Sequence, residues 1–208
     1  MTILYSFRRC PYAMRARLGI ALSNKSVQLR EIILKHKPEA MLFASPKGTV
    51  PVLIEKDDTV IDESIDIMKW ALEDSELLLS TTASMDLLIE ENDHVFKGWL
   101  DKYKYADRYP ENTELYYREQ GEQFLERLEQ QLSTSRMLFS DEYSLADLAI
   151  LPFIRQFAFV NIEWFNQSKY QHVQHWLTTF IDSELFLSIM KKYPTWLESN
   201  QEVSFPEQ

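Results

Sequence analysis

The hydrophobic pattern of this chain changes period once. Over the first 72 residues, short alternating runs exchange with runs in which apolar positions recur at helical spacing. Residues 3–7 read as a strand. A helix opens at Pro11, because proline suits the first helical position, and Met14, Leu18, Ala21 and Leu22 line one of its faces. Val27, Leu29, Glu31 and Ile33 alternate with mostly polar neighbours and predict a second strand. Residues 38–44 form a short helical turn. Residues 49–54 and 59–61 are β-rich and flank Asp57-Asp58, which predicts a hairpin. Residues 65–72 close the unit with a helix. The order is βαβαββα, a small α/β domain.

Beyond it the alternation stops. The polar stretch from Glu73 places a linker at 76–82, between an α/β domain at 1–75 and an all-helical domain at 83–208. In that second part Met85, Leu88, Asn92, Phe96, Trp99 and Tyr103 recur at helical spacing, as do Tyr117, Phe124, Leu128 and Leu132. Residues 145–159 are nearly all apolar, as in a helix buried within a bundle. Two further helices follow around Trp176 and Phe186. Ser144 and Asp147 form a capping box at the start of the apolar helix and read as structural.

Composition narrows the function. The longest apolar stretches fall short of a membrane span and the start shows no secretory pattern, so the expectation is a cytoplasmic protein that does not enter the membrane. The net charge of −10 argues against nucleic acid. Residues 1–50 nevertheless carry nine Lys and Arg against two Glu, a local charge of +7. Either this is a solvated basic face, or the segment attracts an acidic small molecule.

The single cysteine, Cys10, stands between the first strand and the first helix. The N–H groups and positive potential of a helix start favour thiolate over thiol, and Arg8 and Arg9 could add to this. Dithiol redox proteins place a second cysteine three residues on, where this chain has Ala13. A mixed disulfide at Cys10 must therefore be resolved by an external thiol. Two other segments suit a peptide-like ligand. A cis bond between Val50 and Pro51 would turn the Val50 backbone outward to pair with a ligand as another strand would, although an ordinary turn proline explains the same residues. Ser64, at the start of a helix, suits a carboxylate, and Glu63 suits an ammonium group. Plain helix capping also accounts for that pair.

Arg9-Cys10-Pro11-Tyr12-Ala13, Lys37-Pro38-Glu39, Val50-Pro51-Val52-Leu53 and Glu63-Ser64, in this order, resemble the glutathione transferase superfamily and most closely its omega-like, cysteine-containing branch. The resemblance implies a thioredoxin-like first domain followed by a helical bundle, with glutathione as co-substrate. It implies that Cys10 meets the glutathione sulfur and that Val50, before a cis Pro51, holds the cysteinyl backbone. Glu63 and Ser64 would hold the γ-glutamyl end, and Lys37 would approach the glycyl end. Tyr12, Tyr103 and Tyr105 are the candidates for an acceptor pocket. The implied reaction is thiol transfer or reduction on a small hydrophobic or disulfide-containing substrate, carried out by a homodimer. Two alternatives stand beside it: conjugation of glutathione to electrophiles, and a non-catalytic binding or regulatory module on the same fold. No metal is expected, since His172 and His175 share a helical face without a third ligand nearby.

Overall fold

The computed structural model describes residues 1–207. It falls into two compact units, residues 1–79 with 183–207, and residues 80–182.

The first unit begins with β1 (Ile3–Ser6), α1 (Pro11–Ala21), β2 (Val27–Glu31), α2 (Glu39–Ala44), β3 (Val52–Ile54), β4 (Val60–Ile61) and α3 (Ser64–Ala71). This is the expected βαβαββα order. β1 and β2 are parallel, with Leu4 opposite Leu29. β3 runs antiparallel to β1, with Leu53 opposite Leu4 and Val52 opposite Tyr5. β3 starts later than the sequence pattern suggests, because Pro51 lacks the N–H a ladder needs. Strand alternation sends Leu4, Leu29 and Leu53 to one face and Tyr5 and Val52 to the other. On the second face Tyr5, Ile32, Met41, Val50 and Val52 form a buried cluster, and Cys10 packs against its edge.

α1 and α3 pack tightly together. A Cβ at Gly19 would stand 2.8 Å from the Met68 Cα, closer than two such carbons can come. Residues four apart share a helix face, so Arg15 and Gly19 of α1 oppose Ser64 and Met68 of α3. The close approach at one pair brings the other pair together a turn away.

The chain then passes through α4 (Glu76–Leu79), so a short helix occupies much of the stretch expected as a linker. The second unit contains α5 (Ala83–Glu91), a π-helical turn at Asn92–Phe96, α6 (Lys97–Lys104), a short 3-10 turn at Ala106–Arg108, α7 (Glu114–Leu132), α8 (Leu145–Ala158), α9 (Ile162–Gln167) and α10 (Gln171–Ile181). Its core is aromatic: the Phe96 ring lies 4.8 Å from that of Phe124 and 5.4 Å from that of Phe157. Twelve of the fourteen residues of α8 are buried, which explains its unbroken apolar run. The capping box forms as expected. Asp147 accepts from the Ser144 backbone N–H at 2.9 Å, and its other oxygen accepts from the backbone of Leu138 and the indole of Trp176, each at 2.9 Å. Burial pushes this carboxyl upward while those donors oppose the shift.

The expected all-helical run 83–208 is corrected at its end. Residues 183–207 return to the first unit as α11 (Glu184–Ile189), α12 (Trp196–Ser199) and a fifth strand, β5 (Val203–Phe205). β5 extends the sheet to the order β4-β3-β1-β2-β5 by pairing antiparallel with β2, Val203 opposite Leu29 and Phe205 opposite Val27. The physical reason lies in α1 and the loop before it. The buried Arg17 guanidinium donates to the Ile189 carbonyl at 3.0 Å, and Arg8 donates to that of Met190 at 3.1 Å. Arg17 also pairs with Glu31 and donates to the Ser6 hydroxyl at 2.8 Å. Burial lowers its pKa, and the Glu31 carboxylate opposes that.

Gly19→Ala is expected to force α1 from α3 and cost about 1–3 kcal/mol. Gly98→Ala in α6, where nothing lies within 4 Å of the new carbon, is expected to gain up to about 1 kcal/mol from helix propensity. Thermal melts of the two variants read the contrast.

Candidate functional site

The site is assembled in the first unit from the ends of α1 and α3 and the segment before β3. Cys10 is the N-cap of α1 in extended conformation, its carbonyl accepting from the Met14 N–H at 2.9 Å. Its own N–H reaches back to the Phe7 carbonyl at 2.9 Å, which pins the loop between β1 and α1. The sulfur is partly buried and lies 3.8 Å from the Val50 carbonyl. The Val50–Pro51 bond is cis. Two residues expected to act together, Cys10 and Val50, are therefore neighbours although forty positions apart in the chain.

Arg8 reaches the Met190 carbonyl, and Arg9 lies over the Phe7 ring at 5.3 Å from its centroid.

Glu63 and Ser64 open α3. Ser64 is buried, and its hydroxyl oxygen accepts from Arg15 at 3.3 Å. Glu63 is exposed and already holds a cation, the Lys47 ammonium at 2.6 Å. Lys47 also donates to the Asp62 carbonyl at 3.0 Å, and the Ser45 hydroxyl donates to the Asp62 carboxylate at 2.6 Å. The Ser45 bond, helped by Lys47, holds the Asp62 carboxyl below its ordinary value against the opposing effect of partial burial. This bracing fixes the turn from which Glu63 and Ser64 project. Lys37 stands on the other side of the loop, its ammonium 3.8 Å from where a side chain at Gly48 would begin. Gly48 has φ +64, a conformation that favours glycine.

Among the tyrosines, Tyr12 is half-buried in the first turn of α1, with the Arg15 guanidinium 5.8 Å from its ring centre. Tyr103 belongs to the core of the helical unit: it is 2% exposed and its ring lies 5.0 Å from that of Phe157. Burial pushes its hydroxyl pKa upward. Tyr105 ends α6, flanked by Lys104 and Arg108 at 5.0 and 4.4 Å from its ring centre.

The glutathione S-transferase N-terminal domain family matches residues 4–77, and the corresponding C-terminal domain family matches residues 91–184. The chain belongs to the glutathione S-transferase family. Similarity to individual family members is partial in sequence. A probable glutathione transferase of Aplysia californica is 40% identical over 58 residues, 28% of this chain and 63% of that protein. Glutathione S-transferase omega-1 of Sus scrofa is 39% identical over 61 residues, covering 29% of this chain and 25% of that one. The matched stretches thus span less than two thirds of these relatives. In structure the likeness is broader. Glutathione transferase F7 from Populus trichocarpa aligns with TM-score 0.74 at 21% identity, over 92% of this chain and all of that one. A Pseudomonas fluorescens family member, solved with two glutathiones bound, aligns with TM-score 0.76 at 17% identity, over 91% and 92%. These transferases share the thioredoxin-like first domain and helical second domain seen here.

Two residues beside Glu63 and Ser64 are not marked out by the sequence pattern. In the sequence Lys47 is one of several cations, and its spacing from Glu63 gives no periodic signal. Arg15 was legible only as part of a basic segment, and its burial follows from the α1–α3 approach. Among the described residues no group of three or more His, Cys, Asp or Glu could hold a metal ion, and no helix is long and apolar enough to cross a membrane.

Because the folded Asp62 pKa is lowered, its ionised form adds stability above the ordinary carboxylate range, and that stability is lost as pH falls through the lowered value. Asp62→Asn is expected to be less stable than wild type at neutral pH, with the difference shrinking toward zero in acid. Urea unfolding at a series of pH values measures this.

Proposed function

We propose that this family member is a glutathione-dependent thiol transferase that reduces mixed disulfides, with Cys10 as its nucleophile. The observation that carries the reading is the neighbourhood of the Cys10 sulfur: a helix start below it, the Val50 carbonyl 3.8 Å away, and Ala13 where a resolving thiol would stand. The sequence similarity to omega-1 supports the same branch.

In the proposed cycle the glutathionyl half of a mixed disulfide lies along Val50 as an added strand. Its cysteinyl N–H takes over the Val50 carbonyl from the Cys10 thiol, and Pro51 forms the wall beside it. Ser64 receives the γ-glutamyl carboxylate, Glu63 the ammonium group, and Lys37 the glycyl carboxylate. The Cys10 thiolate attacks the glutathionyl sulfur. A Cys10–glutathione disulfide forms, the substrate's sulfur–sulfur bond breaks, and the substrate leaves as a thiolate that takes a proton from water. A second glutathione, as thiolate, attacks the glutathionyl sulfur on Cys10. Oxidised glutathione leaves and the Cys10 thiolate is restored. Tyr12, half-buried two residues after Cys10 in the first turn of α1, is the aromatic group proposed to meet the acceptor.

The homodimer belongs to the same proposal. It is supported by Phe43, which projects from α2 at 91% exposure with the exposed Leu42 beside it, a placement that favours coverage by a partner. Light scattering at micromolar concentration should give twice the chain mass of 24.7 kDa; a single-chain mass contradicts it.

Cys10→Ser and Cys10→Ala are each expected to lose at least about a hundredfold in turnover of a glutathione mixed disulfide, with glutathione affinity kept. Full turnover in both variants removes the covalent scheme. Robust conjugation of an aryl halide, undiminished in Cys10→Ala, assigns the protein to conjugation instead. Absence of glutathione binding by calorimetry leaves the binding-module reading.

A further inference from the structure

Glu31 ends β2 as a buried carboxylate, 9% exposed and shared between two donors. One oxygen accepts from the backbone N–H of Arg8 at 2.8 Å, twenty-three residues away in the chain. The other pairs with the buried Arg17 guanidinium of α1. The first bond holds the turn between β1 and α1. Phe7, Arg8, Arg9 and Cys10 form that turn, which the Cys10 N–H closes on the Phe7 carbonyl at 2.9 Å. The closing bond ties the turn to itself, whereas the Arg8 bond ties it to β2. The second bond holds the helix that Cys10 caps, and Arg17 stands seven residues, about two turns, further along it. Arg17 also donates to the hydroxyl of Ser6, the residue that precedes the turn, at 2.8 Å. A carboxylate only accepts, and its two oxygens serve both donors at once. A bond to an ionised acceptor is also stronger than one between neutral groups.

We propose that Glu31 is the positioning residue for Cys10: it fixes the turn that carries the sulfur against the helix start that favours the thiolate. This role rests on Cys10 being the nucleophile, and it needs no contact between Glu31 and glutathione. Arg8 contributes its backbone N–H, while its guanidinium is held by the Met190 carbonyl at 3.1 Å. Without the tether the turn drifts from α1. The sulfur then spends less time at the positive end of the helix, and a bound disulfide is less often in line with it.

Glu31→Asp tests this role, because it keeps the charge opposite Arg17 and withdraws the carboxylate by one methylene from the Arg8 N–H. Turnover of a glutathione mixed disulfide is expected to fall at least about tenfold in kcat, with KM within about twofold. The pH midpoint for alkylation of Cys10 by iodoacetamide, a reagent that needs no binding site, is expected to rise by at least about half a unit. Arg8→Pro removes the same N–H from the other side, leaves the Glu31–Arg17 pair in place and suits the second position of a turn. Compared with Arg8→Ala, which lacks the same guanidinium but keeps the N–H, it should show the same two changes. It supplies the comparison if Glu31→Asp does not fold. The double variant Glu31→Asp with Arg8→Pro should be no worse than the more affected single variant. A role confined to stability lowers the melting temperature and leaves kcat and the alkylation midpoint of the folded protein unchanged. That result, or a loss expressed in KM alone, overturns the inference. A wild type that does not turn over mixed disulfides, but whose alkylation midpoint moves in Glu31→Asp as expected, overturns the thiol-transfer reading and leaves the positioning of Cys10 in place.

Discussion

The first unit depends on one close contact, the approach of α1 to α3 where Gly19 leaves no side chain between the helices. With a carbon at that position the Met68 backbone would have to move. Because both helices begin at the candidate site, their separation sets where Cys10 and Ser64 stand. One turn along from Gly19 and Met68, the same spacing puts Arg15 against Ser64. The geometry of a thiol, a hydroxyl and a buried cation is therefore a consequence of packing between two helices, settled before any ligand arrives.

α1 also carries the second organising charge. Arg17, two residues on from Arg15 and therefore on the opposite side of α1, is equally buried and faces the strands and α11. It joins Glu31 of β2, Ser6 of β1 and the Ile189 carbonyl of α11. A buried ion pair is weak evidence of net stabilisation, since desolvation offsets its attraction. Its effect here is on specificity of arrangement: an arginine with three kinds of partner admits few alternative positions for α11. The C-terminal segment, including β5, is thereby held on the unit that carries the site.

Much of this was legible in the sequence where local periodicity carries information. The βαβαββα order, the buried α8 and its Ser144–Asp147 capping box all follow from spacing within one element. The fifth strand did not, because Val203–Phe205 is three residues long and its pairing with β2 lies far away in the chain. The charge asymmetry was legible but its meaning changed. Arg15 and Arg17 are buried, and Arg17, Lys25 and Lys47 each pair with a carboxylate. Much of the +7 of the first fifty residues thus serves internal bonding, and less of it faces an incoming anion. Cys10 and Val50 were singled out separately by motif; that they meet is a property of the fold. Tyr103 looked like pocket lining because helical aromatic spacing does not distinguish a cleft from a core.

Cys10 is proposed to work as a monothiol whose partner sulfur comes from glutathione. The most direct measurement is intact mass after incubation with oxidised glutathione, on wild type and on Cys10→Ala. The expected result is a single glutathione adduct on wild type, located at Cys10 and removed by reduced glutathione, with none on the variant. A wild-type protein that stays unmodified while folded, or an adduct that reduced glutathione does not remove, would contradict it.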